Sequence, residues 1–285
     1  MSEITTMKNA VNHFVNLSQA NSARNPEDYI NPSDGLLYCG KCHTAKQCRV
    51  SVLGEEITPY CSCRCDQERY AKEKAKIELD NRIADCKKLW TLSNTPESLL
   101  RSSFDNYRIT PENQESYAKC RHYAERFEKM SEKSQGLLLW GGVGTGKTFS
   151  AACIANCLVN KGISVFMTSF ARLLGSGKGF DIDPVMTDGM KRAELLIIDD
   201  LGTERSTDFA LEKVYGIIDD RYASECPMIL TTNLSLSEMK RCTDIRYTRI
   251  YERILQVCHP VKFDGISVRK SEAANRFKEM EEFLK

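Results

Sequence analysis

The chain has 285 residues, long enough for one full α/β domain and a smaller appendage, and carries 40 Lys and Arg against 39 Asp and Glu. A formal charge of +1 gives no overall attraction to nucleic acid or to anionic membrane, so any such contact must be local. The longest apolar runs are far too short to span a bilayer, and the start MSEITTMKNA lacks a basic stretch followed by an apolar one, so the expectation is a cytoplasmic protein with no membrane partner.

Residues 1–35 read as a polar segment with Asn-Pro at Asn25 and Asn31 and one amphipathic turn through Val11, Phe14, Val15 and Leu17. Residues 36–66 hold six of the thirteen cysteines: Cys39, Cys42, Cys48, Cys61, Cys63 and Cys65. The reducing surroundings expected of a cytoplasmic protein favour metal over disulfides. Cys39 and Cys42 form a CxxC, the spacing at which a tight turn lets two thiolates share one Zn²⁺. Two of Cys61, Cys63 and Cys65 would complete a closed, structural Cys₄ site of zinc-ribbon type, and the choice among the three stays open. His43 and Cys48 rank behind them as ligands. A group of free thiols, or a redox or iron–sulfur role, is the alternative. Between the two cysteine groups, Val50, Val52, Leu53, Gly54 and Ile57 predict a small hairpin. Residues 67–99 are dense in Glu, Lys, Arg and Ala, with Tyr70, Ile77, Ile83 and Leu89 at helical spacing; they predict a charged, solvated helical linker.

From residue 100 onward the pattern changes. Thr110, Pro111 and Glu112 mark a helix start, with Tyr117, Cys120, Tyr123, Ala124 and Phe127 on one face. Strands are expected at 136–140, 163–168, 194–199, 227–232 and 261–265, alternating with helices, as in a parallel sheet covered on both sides.

The apolar run Leu137–Trp140 leads into Gly141, Gly142, Val143, Gly144, Thr145, Gly146, Lys147 and Thr148, which fits GxxxxGK[ST] at every fixed position. Glycines at these positions let successive backbone N–H groups curl around one phosphate, as residues with a Cβ could not. Lys147 would reach the β- and γ-phosphates of ATP or GTP, Thr148 would coordinate Mg²⁺, and the following helix, with Phe149 in its first turn, adds its positive end. The metal also needs a carboxylate at the carboxyl edge of a neighbouring buried strand. LLIIDD, Leu195–Asp200, supplies Asp199 for Mg²⁺ and Asp200 to polarise the attacking water as a general base. MILTTN ends in Asn233, whose amide would hold that water.

With these elements placed, LLIIDDLGTE, the MILTTN strand and the stretch from Arg249 to Arg269 resemble the DnaC/IstB group of AAA+ ATPases, and within it the phage and Firmicutes helicase loaders of the DnaC and DnaI type. The resemblance covers residues 100–285 and implies an AAA+ P-loop sheet that hydrolyses ATP, with a small zinc-containing amino-terminal domain of the kind found on such loaders. It implies further that Arg253, in RIYERIL, is an arginine finger acting on a neighbouring subunit's nucleotide and that Arg269, in GISVR, is the sensor arginine. The partners so implied are a replicative DnaB-type helicase, single-stranded DNA and further copies of the chain. The DNA-gripping segment would be Ala171–Ala193, with Gly175, Gly177, Lys178, Gly179, Phe180, Lys191 and Arg192. Two other readings remain: an IstB-like transposition accessory ATPase, and a metal-dependent adaptor that binds nucleotide without turning it over.

Overall fold

In the computed structural model of the chain the described residues are 25–52, 54–93, 95–175, 183–202, 208–265 and 267–284. The turn expected through Val11, Phe14, Val15 and Leu17 lies outside them, as do Gly177, Lys178, Gly179 and Phe180. Among the described residues no helix is long and apolar enough to cross a membrane. The chain divides into two compact units, Met1–Leu79 and Asp80–Lys285.

In the first unit, β1 (Tyr29–Ile30) pairs antiparallel with β2 (Leu37–Tyr38), and β3 (Val50–Val52) with β4 (Glu55–Ile57). The second pair is the expected hairpin; Gly54 takes φ +78, a value that its turn requires and that costs glycine little. A helix, α1 (Arg64–Leu92), begins at the last two clustered cysteines, Cys63 and Cys65. Among the described residues of this unit the only buried apolar side chains are Cys39 and Cys63, joined in its interior by the ion pair of Lys46 with Asp28.

The unit boundary falls inside α1, whereas the charge pattern placed it at residue 99. The cause is an apolar stripe that the density of charges hides: Cys86 and Trp90, one helical turn apart, are both buried. Trp90 Nε1 donates to Asn156 Oδ1 at 2.9 Å, and Arg82 Nε to the Gly162 carbonyl at 2.6 Å. The last third of α1, with α2 (Glu97–Leu100), therefore packs with the second unit.

That unit is a five-stranded parallel sheet in the order β6-β7-β8-β5-β9, with β5 Gly136–Gly141, β6 Val165–Ser169, β7 Leu195–Leu201, β8 Met228–Thr232 and β9 Cys258–Phe263. Strand residues alternate between two apolar layers: Leu137, Leu139, Leu195 and Ile197 enter one, and Leu138, Leu196 and Ile198 the other. The first layer is closed by α3 (Gln114–Glu125), α4 (Phe127–Ser131) and α5 (Lys147–Val159) through Cys120, Tyr123, Phe127, Ile154 and Leu158. The second is closed by α6 (Phe170–Gly175), α7 (Pro184–Arg192), α8 (Asp208–Ala223), α9 (Leu236–Lys240) and α10 (Ile245–Val257). The last helix is α11 (Val268–Phe283).

The segment Ala171–Ala193 is helical on both sides of its undescribed centre. Asp183 caps α7 by accepting the Val185 N–H, and Pro184 occupies the first turn, where its missing donor costs nothing. Lys191 and Arg192 lie in the last turn of this helix.

Candidate functional site

β5 sits between β8 and β9, so the loop after it emerges at the carboxyl edge of the sheet beside the ends of both neighbours. Gly144 and Gly146 take φ values of +79 and +96, which side chains with a Cβ rarely adopt. A Cβ at Gly144 would also run into Ser267 Oγ. Val268 N donates to the Gly144 carbonyl at 2.9 Å, which ties the start of α11 to the loop.

Lys147 is 6 % exposed and donates to the carbonyls of Gly141 (2.9 Å) and Gly142 (2.7 Å) and to Asn233 Oδ1 (2.8 Å). These bonds use all three of its donors. Burial pulls its pKa down, opposed by the charges of Asp200 and Asp199, while the nearby Arg269 pulls further in the same direction as burial. Lys147 and Asn233 are thus joined directly, with Asp199, Asp200 and Arg269 within electrostatic range of the ammonium. Phe149 packs edge-on against Tyr107, ring centroids 5.5 Å apart, and the Tyr107 hydroxyl lies 2.8 Å from Ser150 Oγ.

A β-bulge delivers the acids. β7 and β8 run in register through Ile198↔Leu230, but the next pair is Leu201↔Thr232, so one extra residue of β7 is accommodated at Asp199–Asp200. Asp200 takes φ +59, a conformation that Asp tolerates better than most residues, and its N–H donates to Thr231 Oγ1 at 2.9 Å. The Thr231 hydroxyl in turn donates to Asp199 Oδ1 at 2.5 Å, and Thr148 Oγ1 lies 2.9 and 3.1 Å from the two carboxylate oxygens. Thr148 and Asp199 present neighbouring oxygens of the type a hard dication takes, at the foot of a loop whose backbone suits phosphate. Thr231 escaped the sequence reading. Its signal was a pair of buried threonines ending an otherwise apolar strand.

Burial pushes Asp199 above the ordinary carboxylate range, with the charge of Asp200 acting the same way and the hydroxyls and Lys147 opposing. The raised value favours the folded state below the unfolded pKa, an advantage lost as pH rises through the folded one. It also means that a proton competes for this carboxylate sooner than for an exposed aspartate. Magnesium-dependent nucleotide affinity is therefore expected to fall as pH drops from neutral towards the carboxylate range, and Asp199→Asn to flatten that slope. Titrations with and without magnesium across this range check it; an equal slope in Asp199→Asn would count against the assignment.

Arg253 is placed elsewhere, on α10. It forms an ion pair with Asp219 of α8, and its guanidinium lies over the rings of Tyr215 and Tyr222 at 4.8 and 5.5 Å.

The thiols that come together in the first unit are Cys39, Cys42, Cys63 and Cys65, with all four sulfurs within 4.8 Å of one another. Cys61 stands apart, its Sγ 3.5 Å from the Ala45 carbonyl. The first pair lies on a tight turn, His43 N donating to the Cys39 carbonyl at 2.9 Å; a Cβ at Gly40 would strike the Glu27 backbone. The second pair lies at the start of α1. The Thr44 hydroxyl beside Cys42 holds its thiol down to about 5, whereas burial pushes Cys63 up to about 12. Four sulfurs this close suit a soft-ligand dication at a Zn–S distance of about 2.3 Å.

The family model of the IstB-like ATP binding protein matches residues 119–275, from α3 through the first turns of α11. The replicative helicase loader DnaI of Bacillus subtilis (strain 168) is 26% identical over 256 residues, covering 84% of this chain and 79% of that protein. The replicative helicase loader DnaC of Escherichia coli (strain K12) is 27% identical over 195 residues, covering 66% and 76%. A crystal structure of DnaI aligns with TM-score 0.51 and 26% sequence identity, covering 61% of this chain and 93% of that one.

Proposed function

Because this chain belongs to the family of IstB-like ATP-binding proteins, we propose that it is an ATPase that loads a replicative DnaB-type helicase onto single-stranded DNA. The observation that carries the loader role is the extent of the likeness to DnaI. A match over 84% of the chain cannot be confined to the second unit, so it reaches into the cysteine-rich part.

In this reading Gly141–Thr148 hold the phosphates and Lys147 balances their charge. Thr148 and Asp199 would hold Mg²⁺, which would supply charge neutralisation to the phosphates. Asp200 accepts the proton of the attacking water and Asn233 orients that water. Arg269 reads the γ-phosphate within the protomer and Arg253 completes the site of an adjacent copy, so hydrolysis requires assembly. Cys39, Cys42, Cys63 and Cys65 would hold a structural Zn²⁺ that would stabilise the first unit, and that unit would contact the helicase. The protein works in the cytoplasm.

Lys147→Ala is expected to raise the dissociation constant for ATP at least about 100-fold, since a buried, fully bonded cation is removed from beside the phosphates. Titration of a fluorescent ATP analogue measures it, and affinity within about threefold of the parent would remove the site. Pull-down of a replicative helicase, with and without ATP, tests the loader role; no binding in either state would refute it. The family match also admits a transposition accessory ATPase, which would prefer duplex to single-stranded DNA and bind a transposase. Phosphate release that is absent with and without single-stranded DNA would instead favour a nucleotide-binding adaptor.

A further inference from the structure

Among the described residues of the first unit Lys46 is the one charged residue that is buried, at 7 % exposed. Its ammonium donates to Asp28 Oδ2 at 2.6 Å, and the Asp28 side chain is itself 3 % exposed. Two charges withdrawn from water are a poor source of stability, because an apolar pair of similar volume often serves as well or better. What the pair touches gives the better reason for it.

It touches both halves of the cysteine group. The second carboxylate oxygen, Asp28 Oδ1, accepts the Gly40 N–H at 3.2 Å, and Gly40 stands in the turn between Cys39 and Cys42. The Asn25 N–H donates to Asp28 Oδ2 at 3.2 Å and helps to fix the carboxylate. On the other side, the Lys46 N–H donates to the Leu37 carbonyl at 2.6 Å, and the Lys46 carbonyl accepts the Cys61 N–H at 2.8 Å, two residues before Cys63. One side-chain bond thus links the turn that carries the first two sulfurs to the segment that leads to the other two. The bond to Asp28 holds Lys46 above the ordinary lysine range against the opposing effect of burial, and the charges of Asp28, Asp66 and Cys63 act with it. Lys46 is therefore a cation within electrostatic range of a clustered sulfur.

Four thiolates outweigh the charge of one dication, so a metal on Cys39, Cys42, Cys63 and Cys65 would leave net negative charge inside this unit. Groups that stand behind metal ligands, orienting them and balancing their charge, govern affinity almost as strongly as the ligands do. We propose that Asp28 and Lys46 are positioning residues of this metal site: Asp28 fixes the turn between the first two sulfurs, and Lys46 sets a positive charge towards the second two, so that the metal meets sulfurs already in place. Their role rests on the zinc reading of the four cysteines and extends it to residues that are not ligands.

Zinc affinity of the full chain, measured by competition with a chromophoric chelator, and the absorption of Co²⁺ bound in the same site test it. Lys46→Met should weaken zinc binding at least about tenfold, the usual cost of removing a group behind a metal ligand. Lys46→Arg keeps the charge and should stay within about threefold of the parent. Lys46→Met combined with Asp28→Asn leaves no buried charge unpaired, so a merely structural ion pair would let affinity return; here it should stay at least about tenfold below the parent. The Co²⁺ spectrum should keep its four-thiolate shape throughout, because no ligand is altered. If Lys46→Met folds poorly, the double variant and Lys46→Arg decide. Affinity within about threefold of the parent in the double variant, equal losses in Lys46→Arg and Lys46→Met, or a changed Co²⁺ spectrum would overturn the proposal and leave the zinc site standing. A parent protein that takes up no zinc would instead remove the zinc reading itself, and this role with it.

Discussion

Cys63→Ser is expected to strip the protein of stoichiometric zinc and to unfold the cysteine-rich unit, while leaving ATP binding by the second unit within about twofold of the parent. The size of the effect follows from what that unit lacks. Its described strands are two or three residues long, and two-stranded pairs of that length are not stable alone in water. Its only buried apolar side chains among the described residues are two of the four clustered cysteines. Structural zinc in such small domains contributes an apparent stabilisation of about 10–16 kcal/mol, far more than the few kcal/mol by which a small domain is otherwise stable. Cys61→Ser is the control, since this sulfur lies outside the group and should leave the metal in place. Metal content per chain, far-UV circular dichroism and protection of Met1–Leu79 from protease measure the outcome. A metal-free, protease-resistant unit in the parent protein would dispose of the zinc assignment and return the thiols to the redox alternative.

Arg253→Ala should lower the turnover number about 10³-fold and change ATP affinity less than about threefold. Phosphoryl transfer spreads charge onto the γ-phosphate oxygens, where a planar guanidinium gives its largest benefit in the transition state, so Arg253→Lys should recover little. Within its own protomer Arg253 is bound to Asp219 and stacked on Tyr215 and Tyr222, so its removal also deletes local packing. Asp219→Ala separates the two effects, because it deletes the same ion pair and keeps the guanidinium. Turnover within about threefold of the parent in Asp219→Ala, against its loss in Arg253→Ala, is the expected pattern. Mixing Arg253→Ala with Lys147→Ala gives a further test: each supplies what the other lacks, and partial activity should return only if the arginine acts across subunits. Undiminished turnover in Arg253→Ala would end the shared-site proposal.

The candidate nucleotide site was largely legible in the sequence because its chemistry is local in the chain. A phosphate loop is eight consecutive residues whose backbone conformation dictates glycine and whose function dictates Lys147 and Thr148. The acids of LLIIDD announce themselves by following four apolar residues, and a strand buried on both faces has no alternating pattern to be misread. Charge density in α1 told less. It masked Cys86 and Trp90, since two buried side chains on an otherwise solvated helix barely alter its composition.

From the sequence alone came the parallel α/β class, the phosphate loop, the two candidate aspartates and a cysteine-rich unit, because each is fixed by neighbours along the chain. Three things were settled only by tertiary structure. Which four sulfurs converge depends on how a turn and a helix start are brought together, and three cysteines spaced two apart cannot specify that. The bulge that admits an extra residue at Asp199–Asp200 is a property of register against β8, invisible in either strand by itself. The link from α11 to Gly144 joins residues more than a hundred positions apart, and such a contact exists only once the sheet has placed both ends side by side.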